Sequence, residues 1–255
     1  MGESGHRVKL LSYNIQAGVD TRHYRQYLTQ SWKQLLPHRE RLLNLNRIAA
    51  MVGRYDIVGL QEVDSGSLRS GFVDQTEYLA RQAGFPHWHK QINRRLGKLA
   101  QHSNGLLSRI RPAEVREYRL PGLPGRGAMY CRFGSGRESL VVAIVHLALG
   151  RRGRLRQLDF LSEQVSGSAH VVIMGDLNCG CESREIAMLR DRVDLQEPAC
   201  DQGTFPSWRP VRRLDHILVS GALRVENARV LDYPFSDHLP IGLDILLPGG
   251  MDIAA

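Results

Sequence analysis

The stretch "VVIMGDLNCG" (171–180) sets Asp176 and Asn178 two residues apart, directly after four apolar residues and a glycine. In an extended segment, residues i and i+2 project to the same side. A carboxylate that can take a proton and an amide that can donate to developing negative charge would then face one space. The same residue types also build ordinary turns, so the pair alone leaves two readings open. Other apolar segments end alike. Asn14 follows "LLSY", Glu62 follows "VGLQ", His146 follows "VVAIV", Asp215 and His216 interrupt "RLDHILV", and Ser236, Asp237 and His238 precede "LPI". Singly, each has a plain structural role, such as a sheet-end cap, a surface carboxylate or a hydrogen-bonded core histidine. As a set they are costly to bury without a task, and clustered titratable groups in a cleft mark functional sites. Carboxylates without sulfur ligands suit a hard cation such as Mg²⁺, which binds phosphate oxygens.

Short strands have to carry these residues to one edge. Strand patterns are expected over 7–18, 56–64, 138–150 and 171–175, with further pieces near 87–92, 104–109, 114–118 and 128–133. The segments 212–220, 223–230 and 239–247 read as closing strands. Helical spacing covers 39–55, with Leu42, Leu45, Ile48, Ala49 and Val52 on one face. It also covers 73–84, closed by Gly84, as well as 152–165 and about 182–191. His216 would point to the opposite side of its strand from Asp215. "RLPGLPGRG" (119–127) reads as a surface loop. Strands outnumber helices, no long linker divides the chain, and mixed sheets with helices packed outside are expected in one domain over 1–255.

Composition narrows the partners. The 255 residues carry 34 Lys and Arg against 26 Asp and Glu, a net charge of +8. This favours anionic partners such as nucleic acid, acidic lipid or phosphorylated small molecules. Cys179 and Cys181 stand close, but C-x-C without a second pair is weak zinc evidence, and the four cysteines are expected as free thiols. The start "MGESGHRVKL" lacks the apolar core of a signal peptide, and no apolar run reaches membrane-span length. A cytoplasmic protein is expected, with peripheral membrane contact left open.

"SYNIQ", "LQEVD", "VHL", "GDLN", "LDHILVS" and "SDHLPI" occur in an order that resembles the endonuclease/exonuclease/phosphatase superfamily, from about residue 7 to residue 247. The resemblance implies a four-layered α/β sandwich, with two mixed β-sheets packed face to face and helices outside. It implies a site at one sheet edge and Mg²⁺-dependent hydrolysis of a phosphate ester by in-line attack of water, with Mn²⁺ as a substitute. By that resemblance Glu62 is the principal metal ligand, with Asn14 and Asp237 supporting the metal region. His146 and His238 contact the phosphate. Asp176 deprotonates the attacking water, Asn178 positions it, and Asp215 pairs with His238.

The substrate is left to the loops. Residues 64–75 carry Arg69, and residues 90–105 carry Lys90, Arg94, Arg95 and Lys98 beside His102. Residues 201–213 carry Trp208, Arg209, Arg212 and Arg213. Arg94, Arg95, Lys98 and Trp208 are the expected substrate contacts, since an aromatic beside cations can stack a base and hold a backbone. Solvated loops with a packed tryptophan fit the same residues. Nucleic acid is the first substrate expected. A phospholipid or inositol phosphate is the alternative, and a lipid would require an exposed apolar loop near the site, for which "LPGLPG" (120–125) is a weak candidate. A non-catalytic binding module would be favoured by loss of a metal ligand or of the water-orienting aspartate, and none is lost.

Overall fold

Unbroken apolar runs make the central strands. In the computed structural model, which describes residues 5–19, 39–136, 138–199, 201–249, 251 and 253, β7 (Leu140–His146) and β8 (His170–Asp176) are buried at every position. Such strands need cover on both faces. They receive it because two six-stranded sheets stack. One runs β11-β12-β1-β2-β4-β3 and the other β5-β6-β7-β8-β10-β9. In the first, β1 (Arg7–Asn14), β2 (Ile57–Asp64), β3 (His87–Leu96) and β4 (Ala100–Ser108) join β11 (Arg224–Val230) and β12 (Ile241–Leu246). In the second, β5 (Glu114–Arg119), β6 (Gly127–Phe133), β9 (Leu195–Gln196) and β10 (Asp215–Ser220) flank β7 and β8. The β1–β2 and β7–β8 pairs are parallel and the others antiparallel, so both sheets are mixed.

The layers arise from strand alternation. Val8, Leu10, Val142, Ile144, Met174 and Leu243 meet between the sheets. Their neighbours on the opposite faces pack under helices. Helices α1 (Arg39–Val52) and α2 (Gln75–Ala83) cover Leu11, Tyr13 and Leu60. Helices α3 (Arg151–Val165) and α4 (Arg184–Val193) cover Val141, Ile173 and Leu218. The result is the expected four-layered sandwich. The sheets approach closely at Gly59, where a Cβ would lie 2.8 Å from Met174 Cε.

Two expectations need correction. Leu42 is 41% exposed, because the buried face of α1 runs through Arg41, Leu45, Ile48 and Val52. Asn44 on that face donates to the carbonyls of Gly18 and Phe235, which sets the rotation of the helix. Residues 90–105 are a β-hairpin, not a loop, with Arg94 paired to His102 and Arg95 to Gln101. Its outer end projects beyond the core, so polar residues replace the apolar alternation that would have marked a strand.

Candidate active site

Strand alternation brings the strand-end residues together. Asn14, His146 and Asp176 close their strands and Asp215 opens β10, and the inward residues of these strands form the core between the sheets. Asp215 is paired in register with Asp176, and His146 with Asp176, so three side chains meet at one edge. Gly175 makes the approach possible. Its φ is +149° and a Cβ there would lie 1.9 Å from the Val145 carbonyl oxygen.

Glu62 reaches the site by another route. It lies in a β-bulge of β2 between Leu60 and Val63, with a left-handed φ of 57°. A bulge re-aims a side chain that regular alternation would send to the other face. Asp64 anchors the bulge by accepting from the backbone N–H of Gly66 and Ser67, from the Ser67 and Ser70 hydroxyls and from Arg69 Nε. Burial raises the Asp64 carboxyl, but these donors outweigh it and hold the group below the usual carboxylate range. Arg69, expected on a substrate loop, is therefore buried against Asp64 at 2.8 Å. Lys90 is likewise held by Asp74.

Asp176 is the centre of the cluster. Its Oδ2 accepts from Asn14 Nδ2 at 3.1 Å and its Oδ1 from the Asn178 backbone N–H at 3.0 Å. His146 Nε2 stands 3.5 Å from Asp176 Oδ2 and 3.9 Å from Glu62 Oε1. Burial, with Asp215 and Glu62 nearby, pushes Asp176 up to about 6. Asn178, at a left-handed φ of 54°, donates from Nδ2 to the Leu147 carbonyl at 3.0 Å. That bond fixes the amide and leaves its Oδ1 and second N–H for a ligand.

The two histidines differ in charge. Burial, reinforced by Arg126, pushes His146 down to about 3, so its ring is neutral. Burial also disfavours charge on His238, but Asp215 overrides it and pushes the ring up to about 10. The contact is short, with His238 Nδ1 at 2.7 Å from Asp215 Oδ2, and Phe205 leans on the ring at a centroid distance of 4.9 Å. Ser236 fixes the turn by donating to the carbonyls of Asn14 and His238. His216 points away from this group, bonded to Glu197 and to the Cys179 carbonyl.

Asp176, Asp215 and His238 offer ligand atoms within 4.8 Å of one another. His238 Nδ1 is held by Asp215, whereas the Glu62 side opens to a cavity and fits a cation better. There Glu62 is only half-buried and borders a cavity of about 420 Å³. Asp237 Oδ1 is buried without a hydrogen-bond partner. Burial, with Glu62 adding to it, pushes Asp237 up to about 7, the condition of a carboxylate short of positive charge. These oxygen donors fit a hard divalent ion.

Of the expected substrate contacts, Arg94 lines this cavity, while Arg95 and Lys98 are exposed on the hairpin tip. Trp208 is half-buried in the 201–213 loop and is not part of the cavity wall. Two residues join the site without having been singled out as its members. Arg126 lies 3.4 Å from His146 Nδ1 through Nη1, and His102 lines the cavity with Glu62. Arg126 sits in the "LPGRG" segment, where proline and glycine signalled only a loop. Cys131 and Cys179 are free and buried, but Cys181 is disulfide-bonded, against the expectation of free thiols. Among the described residues, no helix is long and apolar enough to cross a membrane.

A profile of the endonuclease/exonuclease/phosphatase family matches residues 11–238. Among solved structures, the chain is similar to an endonuclease/exonuclease/phosphatase from Beutenbergia cavernae, with 21% identity, a TM-score of 0.73, and coverage of 98% of this chain and 73% of that one. The mannosyl-6-phosphatase Bt3783 of Bacteroides thetaiotaomicron shares 19% identity at a TM-score of 0.67, over 94% of this chain and 99% of that one. The human Nocturnin catalytic domain with bound sulfate anion shares 20% identity at a TM-score of 0.68, over 95% of each chain. At these identities the likeness is one of fold. No curated protein matches the chain by sequence.

Proposed function

The chain belongs to the endonuclease/exonuclease/phosphatase family, whose members hydrolyse phosphoester bonds, and on that premise we propose that it is a Mg²⁺-dependent phosphodiesterase. The observation that carries this reading is Asp176, buried and raised to about 6 between Asn14, His146 and Asp215. A carboxylate so placed has enough basicity to take a proton from water near neutral pH. Glu62, Asn14 and Asp237 would hold Mg²⁺, which when bound would supply Lewis-acid stabilisation of charge on the phosphoryl and leaving oxygens. Asp176 accepts the proton of the attacking water. Asn178 orients that water and donates to the equatorial oxygens of the transition state. Neutral His146 donates to the phosphate without adding charge, and cationic His238, locked by Asp215, supplies charge to it.

Nucleic acid is one substrate class that fits this reading, supported by the exposed Arg94, Arg95 and Lys98 beside the Glu62 cavity. A phospholipid is the second, supported by Leu123 and Leu149, which are exposed on the wall of the same cavity. The disulfide at Cys181 favours a compartment that tolerates disulfides over the cytoplasmic setting expected from the sequence. The test is a hydrolysis panel over plasmid DNA, single strands, RNA, a small phosphodiester, inositol phosphates and phospholipid vesicles. Each is run with Mg²⁺, with EDTA, and with Asp176→Ala. Turnover that survives both chelation and Asp176→Ala would refute the reading.

A further inference from the structure

Among the described residues, nine large hydrophobic side chains are exposed; Leu123 and Leu149 border the Glu62 cavity, and Leu96 and Leu99 stand at the outer end of the β3–β4 hairpin whose Arg94 and His102 line it. The extremes are Leu123 at 85% and Leu149 at 75% exposure, and both border the cavity that holds Glu62 and Arg94. The loops touch one another. The 68–70 turn bonds the hairpin tip through Leu68 N–H to the Lys98 carbonyl and Arg69 N–H to the Leu99 carbonyl. Gly125 packs on Arg94, where a Cβ would meet Arg94 Cδ at 3.1 Å.

The hairpin tip, the 119–127 loop and the start of α3 carry charge of one sign. Segments 93–99, 119–127 and 147–156 carry three, two and four Lys or Arg, nine in all, and no Asp or Glu; of these Arg154 is spent on Glu185 at 2.8 Å, and Arg151 stays exposed with its Nε 3.8 Å from the same carboxylate. In the whole chain, 34 basic residues face 26 acidic ones, so an acid-free stretch of this kind is a local property. Cations alone would suit any polyanion. The leucines decide between polyanions. Nucleic acid is held by cations, hydrogen bonds and aromatic stacking, and protruding aliphatic tips gain nothing against phosphates. Aliphatic tips ringed by arginine are what an interfacial protein inserts below the headgroups of an anionic bilayer.

We infer that this face docks on an anionic lipid bilayer, with Leu123 and Leu149 entering the headgroup–acyl boundary and Arg94, Arg95, Lys98, Arg151 and Arg152 lying against acidic headgroups. The docked face contains the mouth of the Glu62 cavity, so headgroup phosphodiesters are presented to the site. That last consequence rests on the phosphodiesterase reading, whereas docking itself does not.

The test is flotation of the full chain with vesicles of phosphatidylcholine alone and of phosphatidylcholine with phosphatidylglycerol. The wild type should float with the anionic vesicles only, and salt should reduce binding. Leu123→Ser with Leu149→Ser should weaken vesicle partitioning by on the order of tenfold for each leucine, with thermal unfolding unchanged because both tips are exposed. Arg151→Gln with Arg152→Gln should weaken it on anionic vesicles by a similar order. Asp176→Asn should float like the wild type even where it hydrolyses nothing, which separates failure of docking from failure of the catalytic reading. Absence of flotation, or flotation indifferent to both leucines, overturns the inference. Binding of an oligonucleotide at the same salt without vesicle binding also overturns it, and assigns the face to nucleic acid.

Discussion

Asn14 Nδ2 donates to Asp176 Oδ2 at 3.1 Å across the gap between the two sheets, joining residues 162 positions apart in sequence. The bond fixes one oxygen of the carboxylate and leaves its charge to be balanced by His238, whose Nε2 lies 3.9 Å from the same oxygen. Asp176→Asn keeps this shape and removes the basic oxygen. It should lower kcat by roughly 10²–10⁴-fold with little change in KM, measured per folded molecule beside a thermal melt. A turn-forming Asp176 would give the opposite, lost stability with kcat intact.

Asn178→Ala removes an oriented donor but leaves the base. A loss on the order of 10²–10³-fold in kcat is expected. The double variant with Asp176→Asn should lose less than the product of the two, because both residues serve one water and one phosphate. A full multiplicative loss in a double-mutant cycle would separate their roles.

Glu62→Gln keeps the volume of the side chain and removes its charge. The variant should remain folded while its Mg²⁺ affinity falls, read by metal titration of the protein as well as by turnover. EDTA should silence the wild type, and Mg²⁺ or Mn²⁺ should restore it. Unchanged metal affinity in Glu62→Gln would place the ion elsewhere, on Asp176 and Asp215 in the first instance.

His238 holds its proton up to about 10, against an ordinary 6.5. The folded state therefore binds this proton more tightly than the unfolded chain. The stability contributed by the His238–Asp215 pair is complete below pH 6.5 and is lost as pH rises towards 10. Unfolding free energies of the wild type and Asp215→Asn should differ most at low pH and converge through that window. A difference that is flat between the two limits would mean that the ring is neutral.

Gly175→Ala would force a Cβ to 1.9 Å from the Val145 carbonyl oxygen at a φ of +149°. The cost should be about 2–4 kcal/mol, and a melt lowered by roughly 4–16 °C would show it. A neutral effect would mean that β7 and β8 can part at the site without cost.

Sequence alone determined the central strands and the identity of the polar residues at their ends, but not the outer hairpin over 90–105. Apolar runs such as 140–145 and 171–174 have one economical fate, a strand covered on both faces, and the polar residues that end them are forced to the sheet edge. It also excluded His216 from the cluster, because neighbours on a strand face opposite ways. It could not supply anything set by backbone departures from regular alternation. Glu62 reaches the site through a bulge and a left-handed φ that "LQEVD" does not announce. The helical face of 39–52 was rotated by Asn44 bonding to Gly18 and Phe235, and Phe235 lies 191 positions away. Arg69 looked free in sequence and is consumed by Asp64, while Arg126 looked like part of a loop and stands beside His146. Local pattern encodes which side of a strand a residue takes. Which charges meet, and hence which carry a proton, is decided only when distant segments are packed to within a few ångströms, where burial and Coulomb interactions outweigh intrinsic acidity.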